Sequence, residues 1–233
     1  MVIKDKIEEF LQSQADRKVF YEHEVKGILR ELGMAVPKGI FIRRGKSIPA
    51  DSGLSFPLVA KVVSSRITAK SDIGGVRLGI GNGDELRSAV AELSRLEDSE
   101  GVLVEEMAPP GFEVIVGGTV DATFGPIIMF GLGGIYVEVM KDVAFRAFPL
   151  TRHETMEMIS QVHSYPLLLG VRGEKRKDID AVADTVVKIG TILKNCKDIS
   201  DIEVNPLVVY PQGEGVVAVD VRILLTASQE ESL

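Results

Sequence analysis

The sequence has one cysteine, Cys196, no tryptophan, and only 6% aromatic residues. A single thiol excludes an intrachain disulfide and a cysteine-rich metal site. Scarce aromatics leave the core to Val, Ile and Leu. Positive charge is also in short supply, with 27 Lys and Arg against 34 Asp and Glu and a net charge of −7. Nucleic-acid backbones select basic surfaces, so this balance argues against a nucleic-acid partner. It does not argue against a nucleotide, whose few phosphates need only a local convergence of cations, N–H groups and a metal ion. No apolar run approaches the length of a membrane span. The opening stretch MVIKDKIEEFLQSQ is charged throughout, unlike a secretory signal. A cytoplasmic protein with no membrane association is expected. What is present is an ordinary globular balance, 45% apolar and 26% charged, in 233 residues, enough for one large domain or two modest ones.

Periodicity supplies the elements. Ile3, Ile7, Phe10 and Leu11 predict an opening helix, and Val25, Ile28, Leu29 and Leu32 a second one stopped at Gly33. GIFIRR and PLVAKVV read as strands, the latter almost wholly apolar and therefore central. The polar loop RITAKSDIGG leads into the strand VRLGI, and a helix capped by Asp84 follows. The strand GVLVEEM ends at the break APPG. Beyond it FEVIVGGTVD, PIIMFGLGG and FRAFPL read as strands, and TRHETMEMISQV and DIDAVADTVVKIGTILKNC as helices. DIEVNPLVVY and VVAVDVRILL close the chain as a strand pair around PQGEG. Neither GxGxxG between strand and helix nor GxxxxGK[ST] occurs, so the Rossmann and P-loop fingerprints are missing. The expected fold is α+β with two lobes, residues 21–107 and 108–226, an N-terminal helix in 1–20 and a tail at 227–233.

Several residues carry chemistry. Glu203 and Asn205 are two apart on a predicted strand and so share a face, with Asp220 on the neighbouring strand. Carboxylate and amide oxygens suit Mg²⁺, which keeps water and phosphate in its other positions; the plainer reading is a polar cluster on an exposed hairpin. Lys61 is a lone charge among apolar neighbours. A buried lysine must be paired or meet an anion, and phosphate is preferred here to a solvent-facing lysine on an edge strand. Glu105 and Glu113 bracket the APPG break, where carboxylates can accept from ribose hydroxyls; as generic acids they would be solvated. Gly131, Gly133 and Gly134 either let backbone N–H groups approach a phosphate or thioester, or mark a bend in the sheet. His23 and His163 read as helix residues and His153 as lying near a helix start.

Taken in order, PLVAKVVS, KSDIGGVRLGI, FGPIIMFGLGGIYVEVMKD, and IEVNPL with VAVDVR resemble the β subunit of ADP-forming acetyl-CoA synthetase, and more distantly the succinyl-CoA synthetase β chain. The resemblance spans residues 18 to 226. It implies an ATP-grasp fold whose two lobes clamp ATP or ADP with Mg. On that resemblance Lys61 contacts phosphate, and Arg77, Glu105, Glu106, Met107, Ala108 and Glu113 hold the nucleotide. Asn205 and Asp220 ligate magnesium with Glu203 beside them. Gly131, Gly133, Gly134 and Glu138 form a loop at the phosphate or partner site. The implied partner is an α subunit carrying the CoA-binding domain and the first phosphohistidine, in an α2β2 assembly that meets phosphate, CoA and acyl-CoA. The implied reaction converts acyl-CoA, ADP and phosphate reversibly into acid, CoA and ATP.

The chain departs from the family at one position. Relatives read I-x-H-K-S-D, and that histidine is a second phosphoryl carrier. Here ITAKSD places Ala69 at the carrier position, with Lys70, Ser71, Asp72, Gly74 and Gly75 intact around it. Alanine cannot form a phosphoramidate. The intact surroundings favour a deliberate His→Ala replacement, and a nucleotide-binding subunit without a relay is the alternative, as is a succinate-specific ligase.

Overall fold

The computed structural model describes residues 5, 9, 20–66, 70, 73–134 and 140–226. Ala69, Ser71, Asp72, Glu138, the tail and most of the expected opening helix lie outside the described residues. The chain forms two compact units, one of Tyr21–Gly27 with Val36–Pro109 and the other of Ile28–Ala35 with the chain from Pro110 onward. Helix α1 (Glu22–Glu31) contributes residues to both. No helix among the described residues is long and apolar enough to cross a membrane.

The smaller unit is an antiparallel sheet of β1 (Gly39–Arg43), β2 (Leu58–Val63), β3 (Val76–Ile80) and β4 (Gly101–Glu106), in the order β1-β4-β2-β3. All six positions of β2 are buried, which its near-continuous apolar run requires of an interior strand. Helix α2 (Gly83–Leu93) buries Leu86, Ala89, Val90 and Leu93, spaced to form one stripe. That stripe joins Ile42, Leu58, Ala60, Ile80, Val102 and Val104 in one core. The helix is capped by Asn82, not Asp84: the Asn82 side chain accepts the N–H groups of Asp84 and Glu85. Asp84 lies inside the first turn, where its charge favours the helix N-terminus.

The larger unit is a six-stranded antiparallel sheet made of β5 (Phe112–Asp121), β6 (Gly125–Leu132), β7 (Val143–Ala147), β8 (Ile199–Val209), β9 (Val216–Ala218) and β10 (Val221–Leu225). Its order is β10-β8-β5-β6-β7, with β9 also paired to β8. Helices α3 (Arg152–Ser160), α4 (Tyr165–Leu168) and α5 (Ile179–Asn195) complete it. The 17-residue α5 buries Val182, Val186, Ile189 and Leu193 and packs on β5, β6 and β8. Thr151 and Glu154 close a capping box at the start of α3. His163 lies not in a helix but in the turn before α4, where its N–H is taken by Asp142 Oδ1 at 2.7 Å.

The closing strand pair is interrupted. Asp220 sits in a bend between β9 and β10 rather than on a strand. The cause is a bulge in β8: Val114 pairs with Leu207 and Val116 with Val204, so Asn205 and Pro206 together oppose Ile115. Pro206 has no N–H to offer the ladder. Val219 instead donates to the Pro206 carbonyl, and Asn205 to that of Asp220, both at 3.0 Å.

Candidate functional site

Strand alternation buries Ile202 and Val204 and leaves Asp201, Glu203 and Asn205 half-buried on the other face of β8. The Asn205 N–H···O=C bond to Asp220 sets these two residues side by side across the bulge. The Asn205 carbonyl Oδ1 accepts the N–H of Gly134 at 3.0 Å, which orients the amide and leaves that oxygen a second lone pair. Gly134 has φ +63°, and a Cβ there would come within 2.1 Å of Glu113 Oε2. Both the left-handed backbone and the close approach therefore require glycine. Glu203 is placed differently: it faces Arg222, with Oε2 3.2 Å from Nη2, and Arg222 lies 3.6 Å from Asp201. Asp201 Oδ1 is buried without a hydrogen-bond partner, and burial pushes its carboxyl up against the opposing pull of Arg222.

The hard oxygens of Asn205 and Asp220 fit Mg²⁺, while Glu203 is engaged with Arg222. Among the described residues no group of three or more His, Cys, Asp or Glu forms a metal cluster. An ion here would complete its shell with water and phosphate oxygens, as Mg²⁺ commonly does.

A second constellation lies in the smaller unit. Lys61 is on β2, flanked by β4 and β3, so it is not an edge lysine. It is 5% exposed, and its Nζ is 2.5 Å from Glu22 Oε1 and 3.2 Å from Glu105 Oε2. Lys26 Nζ reaches both Glu105 oxygens at 2.7 Å and Glu22 Oε1 at 2.8 Å. Lys70 Nζ donates to Glu22 Oε2. Burial pushes the Glu22 carboxyl up, but Lys61, Lys26 and Lys70 outweigh it and hold the group well below the usual carboxylate range. Burial also lowers the Lys26 ammonium, opposed by Glu22 and Glu105. Removing one partner from a buried ion pair costs about 3–5 kcal/mol, so these charges stand or fall together.

Residues 12–225 match the family model of the ATP-grasp domain. The chain belongs to the ATP-grasp family. It is 40% identical over 222 residues to the β subunit of ADP-forming acetate–CoA ligase I of Pyrococcus furiosus, covering 92% of this chain and 95% of that one. Acetyl-coenzyme A synthetase 1 of Ca. Korarchaeum cryptofilum, solved with coenzyme A and Ca-AMPCP, superposes with a TM-score of 0.85 at 36% identity, over 94% of this chain and 99% of that one. The same enzyme with coenzyme A and Mg-AMPPCP, its phosphohistidine segment pointing towards the nucleotide binding site, gives 0.79 at 37% identity, over 92% and 96%. Within the ATP-grasp family the chain thus groups with the β subunits of ADP-forming acetate–CoA ligases.

The other expected site residues of this ATP-grasp chain have varied placements. Glu105 is 1% exposed within β4 and holds lysines rather than standing solvated at the break. Glu106 Oε1 accepts the Ser55 N–H at 2.9 Å, the exposed Met107 donates its N–H to the Pro57 carbonyl at 3.0 Å, and Ala108 is half-buried. Arg77 pairs with Glu92 at 2.5 Å and donates to the Gly74 carbonyl at 2.6 Å. Gly131 and Gly133 allow close backbone approach, since a Cβ would meet Asp142 O at 2.4 Å and Val114 C at 2.5 Å respectively. The N–H groups of Gly133 and Gly134 are donated inside the protein, to Glu113 O and Asn205 Oδ1. Glu22 and Lys26 were missed in the sequence. Their i, i+4 spacing on a predicted helix, beside a lone lysine in an apolar strand that demands a carboxylate, was the available signal.

Proposed function

We propose that this chain is the nucleotide-handling β subunit of an ADP-forming acyl-CoA synthetase, binding ADP or ATP with magnesium and exchanging a phosphoryl group with a phosphohistidine. The observation that carries the reading is the Asn205–Asp220 pair at the β8 bulge, its amide oriented by Gly134. A relative at 37% identity solved with Mg-AMPPCP supports it. Magnesium held by Asn205 and Asp220, with Glu203 alongside, would neutralise charge on the nucleotide phosphates. Lys61 and Lys70 supply fixed positive charge beside the phosphates. Glu106, Met107 and Ala108 serve adenine, Glu113 and Arg77 the rest of the nucleotide, and the buried Glu105 acts through the lysines it holds. In the ATP-forming direction a β-phosphate oxygen of ADP attacks the phosphorus of the phosphohistidine. The N–P bond breaks as the O–P bond forms, and the chain's part is to align the two and stabilise charge.

The partner in this reading is an α subunit that binds CoA and carries the first phosphohistidine, in an α2β2 assembly. The Pyrococcus relative's designation as a subunit beta supports a separate α chain. Ala69 favours a second reading, nucleotide binding without a relay, because its side chain offers no nitrogen to phosphorylate. Reconstitution with the α subunit separates them. ATP formation from acetyl-CoA, phosphate and ADP is expected to be near background for the chain as it stands and to rise at least a hundredfold with Ala69→His. If Ala69→His with the α subunit forms no ATP, the transfer reading is lost. Asp220→Ala is expected to weaken Mg-ADP binding about tenfold or more by calorimetry, and unchanged affinity would remove the site assignment.

A further inference from the structure

The carboxylate of Glu22 stands at the centre of three lysines from three elements. Lys26 lies one turn further along α1, Lys61 comes from β2, and Lys70 precedes β3. The backbone of Lys70 is seated as closely as its side chain. Its carbonyl accepts the Gly75 N–H at 2.7 Å, and the Gly75 carbonyl accepts the Val62 N–H at 2.8 Å. A Cβ on Gly75 would lie 2.8 Å from Lys70 O and 2.6 Å from Val62 Cγ1, so only glycine lets this segment lie against β2. Lys70 is thus fixed at one end by Gly75 and at the other by Glu22.

A lysine side chain has many rotamers, and that freedom must be lost when it is fixed against a ligand. Two ammonium groups already gathered on one carboxylate have lost that freedom before any anion arrives. The second carboxylate, Glu105, takes Lys26 with both oxygens and also approaches Lys61. Lys26 in turn braces Glu22 from the helix side.

We infer that Glu22 is a positioning residue, holding the Lys61 and Lys70 ammonium groups together so that they meet the phosphates of a nucleoside diphosphate as a pre-set pair. Glu22 itself touches no ligand. The inference rests on the nucleotide-binding reading above. The three lysines also keep the Glu22 carboxyl ionised at neutral pH, as the role requires.

Calorimetry of the full chain with Mg-ADP and with adenosine, which has no phosphate, tests this in wild type, Glu22→Gln and Glu22→Asp, with folding followed by thermal melting. Glu22→Gln is expected to weaken ADP about tenfold while leaving adenosine unchanged, because only the phosphate half of the site loses its organisation. Glu22→Asp keeps the charge on a side chain one methylene shorter and should fall between. A folded Glu22→Gln protein that binds ADP like wild type, or that loses ADP and adenosine in parallel, overturns the positioning role. If Glu22→Gln does not fold, Glu22→Asp decides on the same two ligands. Wild type that fails to bind Mg-ADP overturns the nucleotide reading itself, a result distinct from equal binding by wild type and variant.

Discussion

Gly134 links backbone conformation to chemistry. Its φ of +63° lies in the left-handed region, its N–H orients Asn205, and the Glu113 carboxylate lies where a Cβ would go. Gly134→Ala is expected to cost about 1–2 kcal/mol of stability from backbone strain alone. Because relief of that strain and of the contact with Glu113 turns the backbone N–H of position 134 away from Asn205 Oδ1, Mg-ADP affinity should fall by more than the stability change explains. Calorimetry beside urea denaturation checks both, and an unchanged affinity would mean that Gly134 serves only the fold. At this scale the sequence was partly legible. A lone lysine in an apolar strand announced a buried charge, but nothing local to Lys61 named Glu22, which lies 39 positions away. Glu203 shows the opposite limit. Alternation places it on the same face as Asn205, yet Arg222 directly across the ladder captures it, a cross-strand pairing invisible without the register.

Among the elements, the β8–β9 turn is tied to the start of α5 by one buried carboxylate. Asp178 accepts the Ala181 N–H at 3.1 Å as the helix cap and those of Gly213 and Gly215 at 2.9 and 3.0 Å. Asp178→Ala removes the cap and leaves turn donors unsatisfied, for an expected loss of about 2–4 kcal/mol. The urea midpoint measures it, and a loss below about 1 kcal/mol would show that water replaces the carboxylate. The elements themselves were the most legible feature of the sequence. Helix α5 and strands β2 and β4 follow directly from apolar spacing, which local burial enforces. The cap of α2 and the break before β10 were not legible. Asn82 and Asp84 are both competent caps in sequence, and the bulge at Asn205–Pro206 emerges only when three strands align.

For the whole molecule, the carboxylates held low in the folded state determine the response to acid. Burial raises Glu22 but its three lysines lower it further; burial raises Asp142 but the Ser164 and His163 donors lower it further; Arg152 and Gln212 lower Asp180. A group whose folded pKa is depressed contributes stability above its unfolded value, and that contribution is lost as pH falls through the folded one. The melting temperature should therefore hold between pH 7 and the unfolded values near 4.5 and 3.8, then decline steadily below them. Circular dichroism melts across that range check it, and a flat profile down to pH 3 would contradict the linkage. Lys26 acts at the other extreme. Its ammonium is held lower than usual, so its protonation favours unfolding and the folded state gains only on the alkaline side.

The β8 bulge also distinguishes the length of the chain from its composition. Upstream, the even-numbered Ile202 and Val204 are the buried members of the strand; downstream, the odd-numbered Leu207 opposes Val114, on the face that Val116 shares with Val204. One surplus residue performs that change of phase. Removing it would turn the downstream half of the strand over, taking Leu207 off the face that it shares with Ile202 and Val204. Around positions 205 and 206, substitution and deletion are therefore different kinds of change: a new side chain alters what the site binds, whereas one residue fewer alters which way the rest of the strand faces.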